Sequence, residues 1–231
     1  MIPAGPVTPS WTGWILRLEL GRRFWTWGWS REICPLRSRC VTVVEASTVM
    51  GEALAEKSKK ARIENISVVI GLWEDVEVDP AQVVLCANVV FDVADLEPFI
   101  LKLESHAKDR VLILASMEPP HAVFSPLWEA VHAEERKDLP GIPEFLSALW
   151  ELDIYPDVEM FEPTYGETCP DRETTLENLR QMLYVLADTD KDQSLQAVME
   201  ELVVQTPDGL AIRDAGPRRQ VLVSWRPREN S

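Results

Sequence analysis

The stretch Val41 to Ala46, Val-Thr-Val-Val-Glu-Ala, constrains the rest of the chain more than any other. Its β-branched residues favour a strand, because two heavy atoms on Cβ suit a pleated surface and crowd a helix. The strand closes on an acid. Ser47 or Thr48 then caps a helix to about Arg62, with Met50, Leu54 and Ala61 on its apolar side. A strand that delivers a carboxylate to its C-terminal end, with a helix next, is how open α/β sheets hold the ribose of a nucleotide-like cofactor. A solvated acid ending an ordinary strand reads the same, so the neighbouring segments decide.

Those segments repeat one grammar. Ile66–Ile70 is a strand, residues 71–80 an acidic loop, and Val83–Val90 a nearly continuous apolar run of the kind buried on both faces. Asp95 caps a helix through His106, with Leu96, Phe99, Ile100 and Leu103 at helical spacing, and Val111–Met117 is another buried strand that ends before Pro119-Pro120. This alternation predicts a mostly parallel sheet with helices on both faces and right-handed crossovers. The second half is more helical. Pro126–Arg136 and Pro143–Leu152 are amphipathic, Asp157–Phe161 is a short strand, and Arg172–Ala187 with Gln193–Val204 form a charged helical pair, an insertion over about residues 165–205. After the turn Thr206-Pro-Asp-Gly come strands Gly209–Arg213 and Gln220–Trp225. The last alternates Val221, Val223 and Trp225 against Leu222 and Ser224, and reads as an antiparallel closing strand.

Residues 1–40 follow another rule. They hold five of the nine tryptophans, and six basic residues against two acidic ones give this piece +4 while the remainder of the 231-residue chain is −19. Domain organisation is therefore an atypical tryptophan-rich segment over 1–40 and an α/β domain over 41–231. The net charge of −15 opposes a sequence-independent grip on nucleic acid and docking on anionic lipid. Cys34, Cys40, Cys86 and Cys169 have no paired short spacing, so neither a disulfide framework nor a zinc site is expected. No apolar run is long enough to span a bilayer, and Met-Ile-Pro-Ala-Gly-Pro lacks the features of a signal peptide; the expectation is a soluble, cytoplasmic protein.

In the order and spacing of these pieces, residues 41–161 with the closing strand at 220–226 resemble the class I S-adenosylmethionine-dependent methyltransferases, whose fold is Rossmann-like. Val41–Met50 looks like the family's second strand, whose terminal acid binds the cofactor ribose; the resemblance assigns that role to Glu45, with Ala46 beside it. Leu-Trp-Glu-Asp at 72–75 sits where the family places its adenine loop, so Trp73, Glu74 and Asp75 are implied there, with Glu74 or Asp75 accepting from the adenine amino group. Leu85-Cys-Ala-Asn-Val-Val-Phe-Asp looks like the fourth strand and its end, which implies that the Ala87 backbone and Asn88 meet the methionine moiety of S-adenosylmethionine. Asp92 reads as the start of the turn before the Asp95 helix, with a place at the acceptor entrance as the alternative.

One part of the family pattern is missing. The family opens with a strand and a turn of the form acidic-x-Gly-x-Gly-x-Gly, about 20 residues before its acid, whose glycines let the backbone approach the cofactor. Here that place holds Phe24-Trp-Thr-Trp-Gly-Trp-Ser30. Tryptophan has the single codon TGG. Read one base late, each gives GGN, glycine, so Trp25-x-Trp27-x-Trp29 becomes Gly-x-Gly-x-Gly, and the Arg23/Phe24 junction reads GNT, which can encode Asp. Residues 1 to about 40 are therefore expected to come from a shifted reading frame; an interaction arm and a tail with no evolved fold are the other readings. If out of frame, they deprive the sheet of its proper first strand, and Trp14–Leu20 has the apolar alternation to fill the slot between Val41–Ala46 and Val83–Val90.

The function implied is methyl transfer from S-adenosylmethionine to a small-molecule or protein acceptor, impaired if the glycine turn is lost. A catalytically inactive methyltransferase-like protein and an interaction module are the alternatives. No catalytic residue is assigned: His121, after Pro119-Pro120 at a strand end, is a candidate base or an exposed loop histidine, and His106 and His132 read as helix-surface residues. Acceptor identity and oligomeric state stay open.

Overall fold

The computed structural model describes residues 14–20, 38–119, 122, 124–137, 140–162, 169–207, 209–213 and 218–228. In chain order the elements are β1 (Trp14–Leu20), β2 (Ser38–Glu45), α1 (Thr48–Lys60), β3 (Ile66–Ile70), β4 (Ala81–Ala87), α2 (Leu96–His106), β5 (Ala107–Ser116), α3 (Ser125–His132), α4 (Ile142–Glu151), β6 (Asp157–Met160), α5 (Arg172–Met182), α6 (Asp190–Leu202), β7 (Val203–Thr206), β8 (Gly209–Ile212) and β9 (Gln220–Trp225). They divide between two compact units.

The first unit comprises the described residues within Trp11–Ala115, Pro143–Met160 and Val221–Ser231. Its seven-stranded sheet has the order β3-β2-β1-β4-β5-β9-β6. β2 pairs parallel with β3, and β4 parallel with β5. Buried Val41, Val43 and Val83 form a core cluster with Leu54, Ile66, Leu85 and Leu112 packed against it. Ser47 caps α1 by accepting from the Met50 N–H, and Lys57, Lys59 and Lys60 at the other end oppose the negative pole of the helix dipole. Gly51 lets α1 lie close on β3, since a Cβ there would run into the Ile70 side chain. The end of the closing strand is held by Glu104 of α2, which accepts from the Trp225 indole (3.1 Å) and from Arg228 (2.6 Å), while Arg228 also donates to the Leu152 carbonyl.

β1 occupies the slot between β2 and β4, and it runs antiparallel to both. Trp14 faces Ala87, Ile15 faces Val44 and Cys86, and Leu20 faces Ser38. β2 and β4 thus run the same way, as do β3 and β5, and β1 opposes them. The family resemblance implies a parallel first strand. Apolar alternation reads alike in both directions and cannot set the sense of a strand. The connection does: a parallel neighbour needs a crossover, usually a helix, and the chain leaves at Leu20 and returns opposite it at Ser38.

The second unit comprises the described residues within Ser116–Ile142 and Phe161–Gln220. Its core is Leu127, Val131, Leu179, Leu183, Val185, Leu195 and Met199 from α3, α5, α6 and the turn after α5. Asp171 caps α5 by accepting from the Thr174 N–H, and Thr189 caps α6 by accepting from the Asp192 N–H.

Several details differ from expectation. The strand expected over Val83–Val90 stops at Ala87, because Asn88 takes a left-handed backbone (φ 55°). Asp95 stands at the N-cap of α2 without a side-chain capping bond. α5 ends at Met182, ahead of left-handed Tyr184 and Asp188. Val203–Val204, expected as the end of a helix, open a hairpin, β7 against β8, in which Thr206 Oγ1 donates to the Gly209 carbonyl.

Candidate functional site at the carboxyl edge of the sheet

β2, β3 and β4 all end at one edge of the first unit, with Glu45 opposite Ile70 in register. Glu45 is only 3% exposed. The Ser47 N–H donates to its Oε1 (2.8 Å), and its Oε2 is buried with no partner. Burial pushes the carboxyl above its ordinary value, and backbone N–H bonds from Ser47 and Ala46 pull it partly back. An unpartnered buried acceptor is costly, about 1–3 kcal/mol. The residues that impose it are local: the strand carries the acid to its end, and the Ser47 cap turns the chain so that only one oxygen meets an N–H. The atom is suited to accept from a hydroxyl of a ligand seated at this edge.

Asn88 follows β4 at the same edge. It is 4% exposed, its N–H donates to the Leu114 carbonyl (2.8 Å), and neither side-chain atom has a partner. A left-handed, buried asparagine with an unused amide is costly twice, by its backbone and by its side chain. The preceding Ala87 ends the strand, paired with Trp14 on one side and Leu114 on the other.

The loop residues go elsewhere. Trp73 is buried against α2, edge-on to His106 (5.1 Å between centroids) and with the Lys102 ammonium 5.3 Å from its ring centroid. Its indole N–H is buried without a partner, and the ring lines a water-sized hollow with Thr42, Val44, Asp79, Val84 and His106. Lys102 also binds the Glu74 and Val76 carbonyls, fastening this loop to α2. Glu74 and Asp75 are exposed. The hollow places Trp73 beside Val44, the residue before Glu45 on β2, and beside His106 at the end of α2. Asp92 is exposed, and its N–H closes a turn on the Val89 carbonyl. His121 and Phe24–Ser30 lie outside the described residues.

Three exposed apolar side chains at this edge were not singled out from the sequence: Val49 in the first turn of α1, Ile70 at the end of β3, and Leu72. A β-branched residue in the first turn of a helix whose apolar side lies elsewhere was the available signal. The two helix histidines are half-buried and bonded: His106 Nδ1 to the Lys102 carbonyl, and His132 Nε2 to the Leu183 carbonyl with its ring stacked on Trp128. Cys86 is fully buried, and burial pushes its thiol up to about 12, which makes it inert as a nucleophile. Among the described residues no helix is long and apolar enough to cross a membrane, and no cluster of three metal-ligating side chains occurs.

No protein-family model and no curated protein matches the chain. Solved structures do. A candidate methyltransferase from Bacillus halodurans C-125 superposes with a TM-score of 0.50 at 11% identity, over 81% of this chain and 83% of that one. An S-adenosylmethionine-dependent methyltransferase from Thiobacillus denitrificans, solved with S-adenosyl-L-homocysteine, gives 0.45 at 12% identity over 81% and 75%. At such identities the likeness is one of architecture, and the architecture of this chain is the Rossmann-like fold of the class I methyltransferases.

Proposed function

We propose that the chain is a methyltransferase-type protein that holds the ribose of S-adenosylmethionine on Glu45. One observation carries the reading: a buried carboxylate at the end of β2 with an oxygen that no protein group satisfies. A vicinal diol supplies the missing donors. Ala46 lies beside it, Val49, Ile70 and Leu72 offer apolar surface for a base, and the unused amide of Asn88, next to the Ala87 backbone, suits the polar amino-acid end. Trp73, Glu74 and Asp75 remain proposed for the adenine only if the loop releases its hold on α2. When bound, the cofactor supplies an electrophilic methyl on sulfonium; this chain's share is to hold donor and acceptor in line. The acceptor proposed is a small molecule or a protein, since the net charge of −15 disfavours nucleic acid.

A second reading rests on β1. Because that strand is reversed, Leu20 and Ser38, paired in register, both lie at the amino edge, opposite the one that carries Glu45. The unpartnered oxygen of Glu45 supports the ribose half of the site, whereas the sequence Phe24–Ser30 lacks the glycines expected for its other half. This favours a chain in which methyl transfer is lost, and it supports the proposal that residues 1–40 are read out of frame. Titration of the full chain with S-adenosylmethionine by calorimetry separates the readings. Micromolar binding that falls at least tenfold in Glu45→Ala supports the first; a folded chain that binds nothing leaves only the second. Codons over 1–40 that give no acidic-x-Gly-x-Gly-x-Gly in the shifted frame overturn the frame proposal.

A further inference from the structure

The other end of the same sheet carries a surface of different chemistry. β6 is the terminal strand, paired on one side with β9 and on the other, among the described residues, with no strand. In register, Asp157 faces Ser224, Val158 faces Val223, and Met160 faces Val221. Side chains alternate across a strand, so Val158 and Met160 continue the row of Val221 and Val223. Those two valines are fully buried, whereas Val158 is 40% and Met160 53% exposed. The buried apolar layer thus runs out to the rim and stops uncovered. Trp150 at the end of α4 and Tyr155 in the turn before β6 add two more exposed large side chains within eleven residues.

The opposite face of β6 presents Asp157 and Glu159, and among the described residues the cation on them is Arg110, which reaches Asp157 at 3.2 Å across β9. From Asp138 to Asp171 the chain carries nine acidic residues and no lysine or arginine. A second copy would bring the same charges against themselves, which is how edge strands avoid self-pairing. An extended segment with the opposite charge pattern would not. We propose that β6 is a docking edge for a basic, apolar strand of another protein, which pairs with its backbone, covers Val158 and Met160 with alternate apolar residues, and sets lysines or arginines against Asp157 and Glu159.

The test uses the full chain and three labelled ten-residue peptides: alternating lysine–valine, lysine–serine and glutamate–valine, followed by fluorescence anisotropy. Expected is binding of the lysine–valine peptide at least tenfold tighter than lysine–serine, none of the glutamate–valine peptide, and a tenfold loss in the double variant Val158→Lys, Met160→Lys. Equal binding of the two lysine peptides reduces the effect to bulk charge and overturns the proposal, as does the absence of binding. Hydrogen exchange provides a readout that needs no variant: the peptide must slow exchange over residues 157–160. Unchanged exchange there, or protection of β6 by self-association without peptide, also overturns it.

Discussion

Asp192, in the helical pair, and Glu45, at the end of β2, are both buried carboxylates. Asp192 accepts from Arg180 Nε (2.8 Å) and Nη2 (2.7 Å), from the Asp188 N–H (3.1 Å) and from Gln196 (3.1 Å). Glu45 accepts from the N–H groups just after it and leaves Oε2 with nothing. The Arg180 guanidinium above all holds Asp192 down to about 2, while burial pushes Glu45 up. Both oxygens of the first are engaged, joining α5, α6 and the turn between them; the second has an oxygen left over. The difference teaches how to read buried charge here: a completed carboxylate is part of the fold, and an incomplete one is where the proposed ligand would find an acceptor.

The largest expected effect tests the completed site. Asp192→Ala leaves the Arg180 charge without its main partner and should lower the thermal midpoint more than any other substitution named here. Its pH dependence has a definite sign. The folded pKa is depressed, so the contribution is present above the ordinary value of 3.8 and is lost as pH falls toward about 2; the acid limb of the stability curve should flatten in Asp192→Asn. A smaller loss, about 2 kcal/mol by denaturant titration, is expected for Glu104→Ala, which strips the Trp225 indole of its acceptor but leaves the half-exposed Arg228 to water.

At the incomplete site stability should respond weakly or in the opposite sense. Asn88→Gly removes the unused amide and suits the left-handed backbone, so a gain of about 0.5 kcal/mol is expected, alongside weaker ligand binding. Glu45→Gln should change stability by less than about 0.5 kcal/mol at neutral pH, because it removes a charge that burial disfavours. Glu45's folded pKa is raised, so its contribution is full below the ordinary 4.5 and is lost as pH rises through the folded value; Glu45→Gln abolishes that slope. A large loss of stability in Glu45→Gln would break the comparison by making Glu45 structural.

Much of this was legible before the structure. The run Val41–Ala46, the cap at Ser47 and the spacing of Leu96, Phe99, Ile100 and Leu103 are local patterns, and local sterics turn them into β2, α1 and α2. Glu45 and Asn88 were legible as positions, since strand ends follow from strand lengths. The seat of Trp73 was not: it depends on Lys102 and His106, which come from the next helix. Nor was the early end of α5, where the left-handed residue just past it is Tyr184, a type that seldom announces that conformation.

By itself the sequence determined the kinds and order of the elements, the acid at the end of β2 and the acidity of the chain, because apolar period, capping chemistry and charge are properties of neighbours along the backbone. Only the tertiary structure decided that β1 runs backwards, that Glu45 and Asn88 keep unpartnered atoms, and that β6 ends the sheet with its apolar row uncovered. Alternation is unchanged when a strand is reversed, and the solvation of a side chain is set by atoms that arrive from distant parts of the chain.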